Sequence, residues 1–262
     1  MDQVERKGIA DLTDPRSIVR TPLLLPSSLE QYYEKTGPAR RAADGDVILI
    51  ATGWDAPDGN IAVVLGPAAS ERVFALADEF FGGEPYSVIV ESESAAPVEA
   101  SLRAAGWELD EDEPALFLQP VPAPPPPPAD LDIRLVTTEA ELADFMEVSG
   151  TGQRWVPSLA AARDPGVALL VGYVQGKPVA TARINLLGRV GEINGVGTLP
   201  AYRRRGYGTA MTWAAIAEGV RRGCDAITLS ASEMGYSVYR RMGFVPVCRY
   251  RTYLPPGGQA EE

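Results

Sequence analysis

The chain has 262 residues, 45% hydrophobic and 23% charged, enough for one large or two modest domains with a sizeable core. It contains no histidine and only two cysteines, which removes histidine triads and proton shuttles, most zinc sites and a disulfide scaffold. A net charge of −11 argues against nucleic acid as a partner, and no apolar run approaches the ~18 residues of a membrane helix, so no membrane partner is expected.

The polar, acidic start, Met1-Asp2-Gln3-Val4-Glu5, does not read as a signal peptide, and a cytoplasmic location is expected. Charge is uneven along the chain. Residues 1–129 carry 9 Lys/Arg against 22 Asp/Glu, whereas residues 130–262 carry 15 against 13. Asp11 to Pro38 reads as irregular and Pro-punctuated, with a helix around Ser27–Glu34. Strands follow at Asp46–Thr52 and Asn60–Leu65, joined by the turn Gly53-Trp54-Asp55-Ala56-Pro57-Asp58-Gly59. Apolar spacing predicts a helix over Ser70–Phe81, then a strand at Tyr86–Val90, a helix at Ala96–Ala105 and a strand at Ala115–Leu118. The acidic run Glu108–Glu113 reads as a solvated loop. Pro120 to Pro128 is nearly all proline, favours extended polyproline II and reads as a semi-rigid spacer. It sets the expected boundaries: a first domain over 1–119, a linker over 120–129 and a second domain over 130–262.

The second half opens with a strand at Leu131–Val136 and a helix at Thr138–Val148, where Thr138-x-x-Glu141 has the form of a capping box. A loop over Ser149–Ser158 carries Gly150, Gly152, Arg154 and Trp155. Val167–Val174 and Pro178–Leu187 form a hairpin across Gln175-Gly176-Lys177, and Val190–Thr198 is the next strand. A helix begins near Tyr207, and a strand at Ala226–Ser230, a short helix at Tyr236–Met242 and a strand at Phe244–Leu254 complete the series. Both cysteines, Cys224 and Cys248, fall in apolar contexts and read as buried thiols.

The stretch Gly195 to Ala210 is the most informative. A strand turns at Pro200, passes through Arg203-Arg204-Arg205, and enters the helix at Gly206-Tyr207-Gly208-Thr209. Glycines there let a ligand approach the backbone, and the first N–H groups of a helix, with the positive end of its dipole, favour an anion such as pyrophosphate. Neither the Walker nor the dinucleotide-binding glycine pattern fits.

Arg203-x-x-Gly206-x-Gly208 resembles the R/Q-x-x-G-x-G/A motif of the GNAT acetyltransferases. Val238-Tyr239-Arg240-Arg241-Met242-Gly243-Phe244 is similar to that family's L-Y-x-x-L-G-F, and the order β-α-β-β-β-α-β-α-β over 131–254 resembles its fold. The resemblance implies an α/β protein of two GNAT-like mixed-sheet domains in tandem, the C-terminal one complete in its acetyl-CoA motif. The first half looks like a degenerate copy. Leu102-Arg103-Ala104-Ala105-Gly106-Trp107 aligns with Tyr239 to Phe244, a leucine replaces the tyrosine, and Gly66-Pro67-Ala68-Ala69-Ser70 lacks the arginines.

By resemblance, Val196, Gly197 and Thr198 present backbone groups to the pantetheine arm of acetyl-CoA. Arg204, Arg205, Gly206, Tyr207, Gly208 and Thr209 hold its pyrophosphate, and Ser232, where many relatives have asparagine, contacts the cofactor arm through its hydroxyl. Tyr239 protonates the departing thiolate. Glu192 acts as base through water, with strand alternation placing Glu192, Asn194 and Val196 on one face. The implied activity is N-acetyl transfer from acetyl-CoA to a primary amine of a small molecule or peptide. A non-catalytic acyl-CoA sensor and an N-acyltransferase for longer acyl groups are the alternatives. The expected partners are acetyl-CoA and an amine acceptor, with a homodimer allowed. Only one strand follows the second motif where the family has two, so Ala115–Gln119 is expected to pack on the second sheet.

Overall fold

The computed structural model describes residues 11–24, 40–51, 57–68, 70–92, 95–149 and 158–257. The helix expected at Ser27–Glu34, residues 52–56 of the first strand and turn, and Gly150, Gly152, Arg154 and Trp155 lie outside them. Helix α1 spans Pro15–Leu24, α2 Ser70–Phe81, α3 Ala96–Ala104, α4 Glu139–Ser149, α5 Leu159–Ala162, α6 Tyr207–Arg221 and α7 Glu233–Arg241. The strands are β1 Arg40–Asp44, β2 Val47–Ala51, β3 Asn60–Val64, β4 Ser87–Glu91, β5 Glu108–Leu118, β6 Asp132–Leu135, β7 Val167–Val174, β8 Lys177–Leu187, β9 Val190–Thr198, β10 Ala226–Ser230 and β11 Val245–Leu254. No helix among the described residues is long and apolar enough to cross a membrane.

Two compact units interleave along the chain. One holds β1 to β4, α2 and α3, β5 through Ala115, Ser230–Tyr236, and Pro246 onward. The other holds α1, Leu116–Leu229 and Ser237–Val245. Each unit is thus completed by chain that follows the glycine-aromatic pair (Gly106-Trp107 or Gly243-Phe244) of the other half of the sequence.

In the first-half unit, β1, β2 and β3 run antiparallel, β3 and β4 parallel, and β11 returns antiparallel to β4 with Tyr250 opposite Glu91. β2 and β3 are buried along their whole length. Helix α2 places Val73, Ala77 and Phe81 on one stripe against Val64, Val88 and Leu102. Glu99 of α3 is nearly sealed off (side chain 4% exposed), yet accepts hydrogen bonds from Arg103 (3.0 Å), Arg251 (2.9 Å) and the Tyr253 hydroxyl (2.9 Å). The acidic run expected to be a loop is strand β5. Asp112 meets Arg249 and Arg251 of β11 at 2.7 and 3.2 Å, so neighbouring guanidiniums offset its charge.

In the second-half unit the strand order is β5-β10-β9-β8-β7-β6. The end of β5 lies beside β10, where the Thr228 hydroxyl donates to the Leu116 carbonyl at 2.9 Å, as expected for Ala115–Gln119. Helix α1, read from the sequence as irregular chain, starts with Asp14 accepting from the Arg16 and Ser17 N–H groups and Pro15 in the first turn. Its Ile18 packs with Val190 and Ala226. The capping box forms: Glu141 accepts from the Thr138 N–H at 3.0 Å, and Thr138 Oγ1 from the Glu141 N–H at 3.3 Å. The β7–β8 hairpin turns on Gln175 and Gly176, both with positive φ, the primed geometry that matches strand twist. Cys224 and Cys248 are buried free thiols, and burial pushes the Cys224 thiol up to about 11.

Candidate active site

Strand β9 is paired with β8 on one side and, over a short parallel stretch, with β10 on the other. The β9–β10 ladder runs from Val190 opposite Ala226 to Glu192 opposite Thr228 and goes no further, whereas β9 continues to Thr198 on β8. Beyond Glu192 the two strands part. Backbone N–H and C=O groups of β9 are turned toward that opening, and such groups demand partners.

A β-bulge falls at the same place. Asn194 stands opposite Arg183 and Gly197 opposite Thr181, so Gly195 and Val196 together face the one residue between them on β8. Gly195 has φ +58°, the left-handed backbone that glycine adopts at little cost in such bulges. The bulge corrects one expectation. Strict alternation puts Val196 on the face of Glu192 and Asn194, but the extra residue passes that place to Gly197. The Thr181 hydroxyl donates to the Gly195 carbonyl at 3.3 Å and holds the kink.

After Thr198 the chain makes a short 3-10 turn, Pro200–Tyr202. The arginine loop is then fastened to its own backbone. Arg203 Nε donates to the Thr198 carbonyl at 3.1 Å, and Arg205 Nη2 to the Ala201 carbonyl at 3.3 Å while its guanidinium lies over the Tyr202 ring. Arg204 takes positive φ (+62°), and Gly206 caps α6 in the left-handed region at φ +83°. No side chain caps the N-terminus of α6, and a Cβ built on Gly206 meets nothing nearer than Pro128 at 4.0 Å. Tyr207 is buried (2% exposed), its hydroxyl donating to Asp130 at 2.6 Å. That bond to a carboxylate raises the phenol's pKa. Gly208 is partly exposed beside Thr198 and Thr209 is partly exposed. Three arginines precede an uncapped helix start with bare backbone at Gly206, an arrangement that favours a multiply charged anion.

Glu192 is partly exposed on β9 and accepts from Asn185 Nδ2 at 2.8 Å. Beside that pair, Arg183 Nε donates to Asn194 Oδ1. Tyr239, on α7, is partly buried and meets the Phe244 ring edge-on at 5.9 Å between centroids. Its helix ends in Gly243 at positive φ, with the Phe244 N–H bonded back to the Tyr239 carbonyl at 3.1 Å. Ser232 lies at the start of α7, in the first-half unit, where its oxygen accepts from the Gly235 N–H at 3.3 Å.

The corresponding helix start in the first-half unit differs. A Cβ on Gly66 would fall 2.0 Å from the Asp46 carboxylate, and the Ser70 hydroxyl is turned to the Pro97 carbonyl at 3.2 Å. A carboxylate stands there in place of arginines.

Comparison with known proteins bears on the family and the fold. The model of the acetyltransferase (GNAT) family matches residues 136–244, which span the α4 helix, the parted strands, the arginine loop and Tyr239. That stretch is similar to a GNAT acetyltransferase domain. A GCN5-related N-acetyltransferase from Kribbella flavida has a similar fold over both halves: TM-score 0.68 at 21% identity, covering 98% of this chain and 97% of that one. A GCN5-related N-acetyltransferase from Sphaerobacter thermophilus matches at TM-score 0.57 and 18% identity over 79% of each chain. A tandem GNAT protein from the clavulanic acid biosynthesis pathway matches at 0.55 and 14% over 82% of this chain and 79% of that one. No curated protein matches in sequence. The fold is mixed α/β, as expected from the GNAT resemblance, and the family's chemistry is acyl transfer from acyl-CoA.

Arg183, Asn185, Thr181 and Asp130 stand outside the motifs that mark the site in the sequence. Thr181, Arg183 and Asn185 leave a trace, as polar residues at alternate positions of β8.

Proposed function

We propose that this protein is an N-acetyltransferase that moves the acetyl group of acetyl-CoA directly to a primary amine. The observation that carries the proposal is the parting of β9 from β10, with a glycine bulge, immediately ahead of an uncapped, arginine-flanked helix start. An extended arm can add to β9 as a strand adds to a sheet edge, through Val196, Gly197 and Thr198. A pyrophosphate at its far end then meets the N–H groups of residues 204–209 and the positive pole of α6. Gly206 fits this role, because a side chain there would project where the anion must come.

Acetyl-CoA supplies an activated acyl carbon and a thiolate leaving group. Tyr239 donates its phenolic proton to that thiolate. Glu192, oriented by Asn185, takes a proton from the amine through a water, a role that histidine fills elsewhere and that this chain has no histidine to fill. A sensor that only bound acyl-CoA would need neither group. The first-half unit, with Asp46 at its helix start and Leu102 at the tyrosine position, takes no acetyl-CoA.

The test is release of free CoA thiol when the full chain is mixed with acetyl-CoA and a panel of amines, amino acids and peptides. At least one acceptor should give amine-dependent release. Tight acetyl-CoA binding with no release on any amine would favour the sensor, and no binding at all would remove the reading.

A further inference from the structure

We infer that the acceptor is an amine that also carries an acidic group, and that Arg183 binds that group. The inference deepens the acetyltransferase reading and rests on it. Opposite residues of antiparallel strands share a face. Gly172 of β7 lies under Met211 of α6, and its partner on β8 is Ala180, so Ala182 and Ile184, opposite Leu170 and Ala168, also look toward α6. Arg183 and Asn185 therefore point to the other face, where the β7 residues opposite them, Leu169 and Val167, are buried.

Apolar residues would be the least costly choice at 183 and 185. Arg183 and Glu192 are each half-buried there, and a guanidinium and a carboxylate partly withdrawn from water gain little over hydrophobic residues as a structural pair. Instead β8 and β9 build a polar patch on this face: Arg183 bonded to Asn194, Asn185 bonded to Glu192. Arg183 and Glu192 sit diagonally across the two strands, a backbone separation of about 7–8 Å that long side chains span easily. The patch lies immediately before the bulge and the parting of β9 from β10, where the acyl carbon is proposed to sit. An amine at Glu192 and an acid at Arg183 match one zwitterionic molecule with the two groups a few bonds apart. The planar guanidinium is suited to a carboxylate or a phosphate, which it can bind with two parallel hydrogen bonds.

The experiment uses the full chain, acetyl-CoA, and matched acceptors: each standard amino acid, its carboxamide and its decarboxylated amine, with O-phosphoethanolamine as the phosphate arm and ethanolamine as its control. CoA release gives kcat/KM for each. The favoured acid-bearing acceptor should exceed its neutral counterpart by roughly ten- to hundredfold, the range expected for hydrogen bonds to a charged partner. Arg183→Gln should bring that ratio toward one, and Arg183→Lys should leave it between. The relative rates of the carboxylate and phosphate arms identify the anion. If neutral amines match or outrun the acids, if none of the acids is acetylated, or if Arg183→Gln and Arg183→Lys lower both partners of a pair alike, the inference is overturned. A protein that binds no acetyl-CoA fails the earlier reading instead, and a separate titration of acetyl-CoA tells the two failures apart.

Discussion

A fragment that begins at Asp130 should not fold as a stable domain, although it carries every residue of the proposed site. The second-half unit draws on chain that such a fragment lacks. Ile18 and Leu116 are fully buried, and Leu118 is 4% exposed. Fully burying an aliphatic side chain of this size is worth about 1.5–3 kcal/mol, so these three account for roughly 5–9 kcal/mol. That is most of the ~5–15 kcal/mol by which a typical domain is stable. The cut also strips the Thr228 hydroxyl of its Leu116 acceptor, which adds about 1–3 kcal/mol for a buried group left unsatisfied. It further exposes the apolar edge strand β10, an invitation to aggregation. Urea denaturation of the 130–262 fragment and the full chain, followed by circular dichroism, reads the difference. The fragment should be insoluble or show no cooperative transition. A soluble fragment with a cooperative transition near that of the full chain, or with full acetyltransferase activity, would refute the reasoning.

Four smaller perturbations have defined outcomes. Tyr239→Phe should leave acetyl-CoA affinity intact and lower kcat by roughly 10²–10⁴, the usual loss for a general acid; steady-state kinetics beside a binding titration separates the two. Glu192→Gln should remove the acidic limb of the pH–rate profile, and persistence of that limb would assign Glu192 a structural part. The Thr137 N–H, followed by the Thr137 and Thr138 hydroxyls, holds the Glu141 carboxyl below its ordinary value. A depressed carboxyl stabilises the fold above its unfolded pKa of about 4.3, and that stability is lost as pH falls through the lower folded value. The melting-temperature gap between wild type and Glu141→Gln should therefore shrink between neutral pH and about pH 3. Glu99→Ala would leave Arg251 its Asp112 partner but take the acceptor from the buried Tyr253 hydroxyl, and chemical denaturation should show a loss of about 1–3 kcal/mol.

Much of the second half is legible because its signals are local. The capping box at Thr138, the hairpin at Gln175-Gly176 and the arginine-glycine loop each depend on neighbours within a few residues. Other features depend on distant chain. The run Glu108–Glu113 looks too acidic for a strand until Arg249 and Arg251 are set beside it, 137 and 139 residues from Asp112. The bulge had its signal in Gly195, but alternation read without register moved Val196 to the wrong face. Helix α1 announced itself through Asp14-Pro15 and was hidden by Pro22 in its interior. Of the exchange between units, the missing last strand of the second half points to Ala115–Gln119, but the passage of Tyr253 into the other unit leaves no mark, because burial against a remote strand does not change residue spacing.

In the proposed mode of binding, the start of α6 holds the pyrophosphate of acetyl-CoA through bare backbone. Calorimetric titration of acetyl-CoA into the wild-type chain and into Gly206→Val, with a thermal melt of each, tests it most directly. At φ +83° a valine strains the turn by about 1–3 kcal/mol, but a Cβ there has open space, so the variant should still melt cooperatively. Its affinity for acetyl-CoA should fall by at least about a hundredfold, the equivalent of one or two charge-assisted hydrogen bonds. A folded Gly206→Val protein that binds acetyl-CoA as tightly as the wild type would contradict the claim.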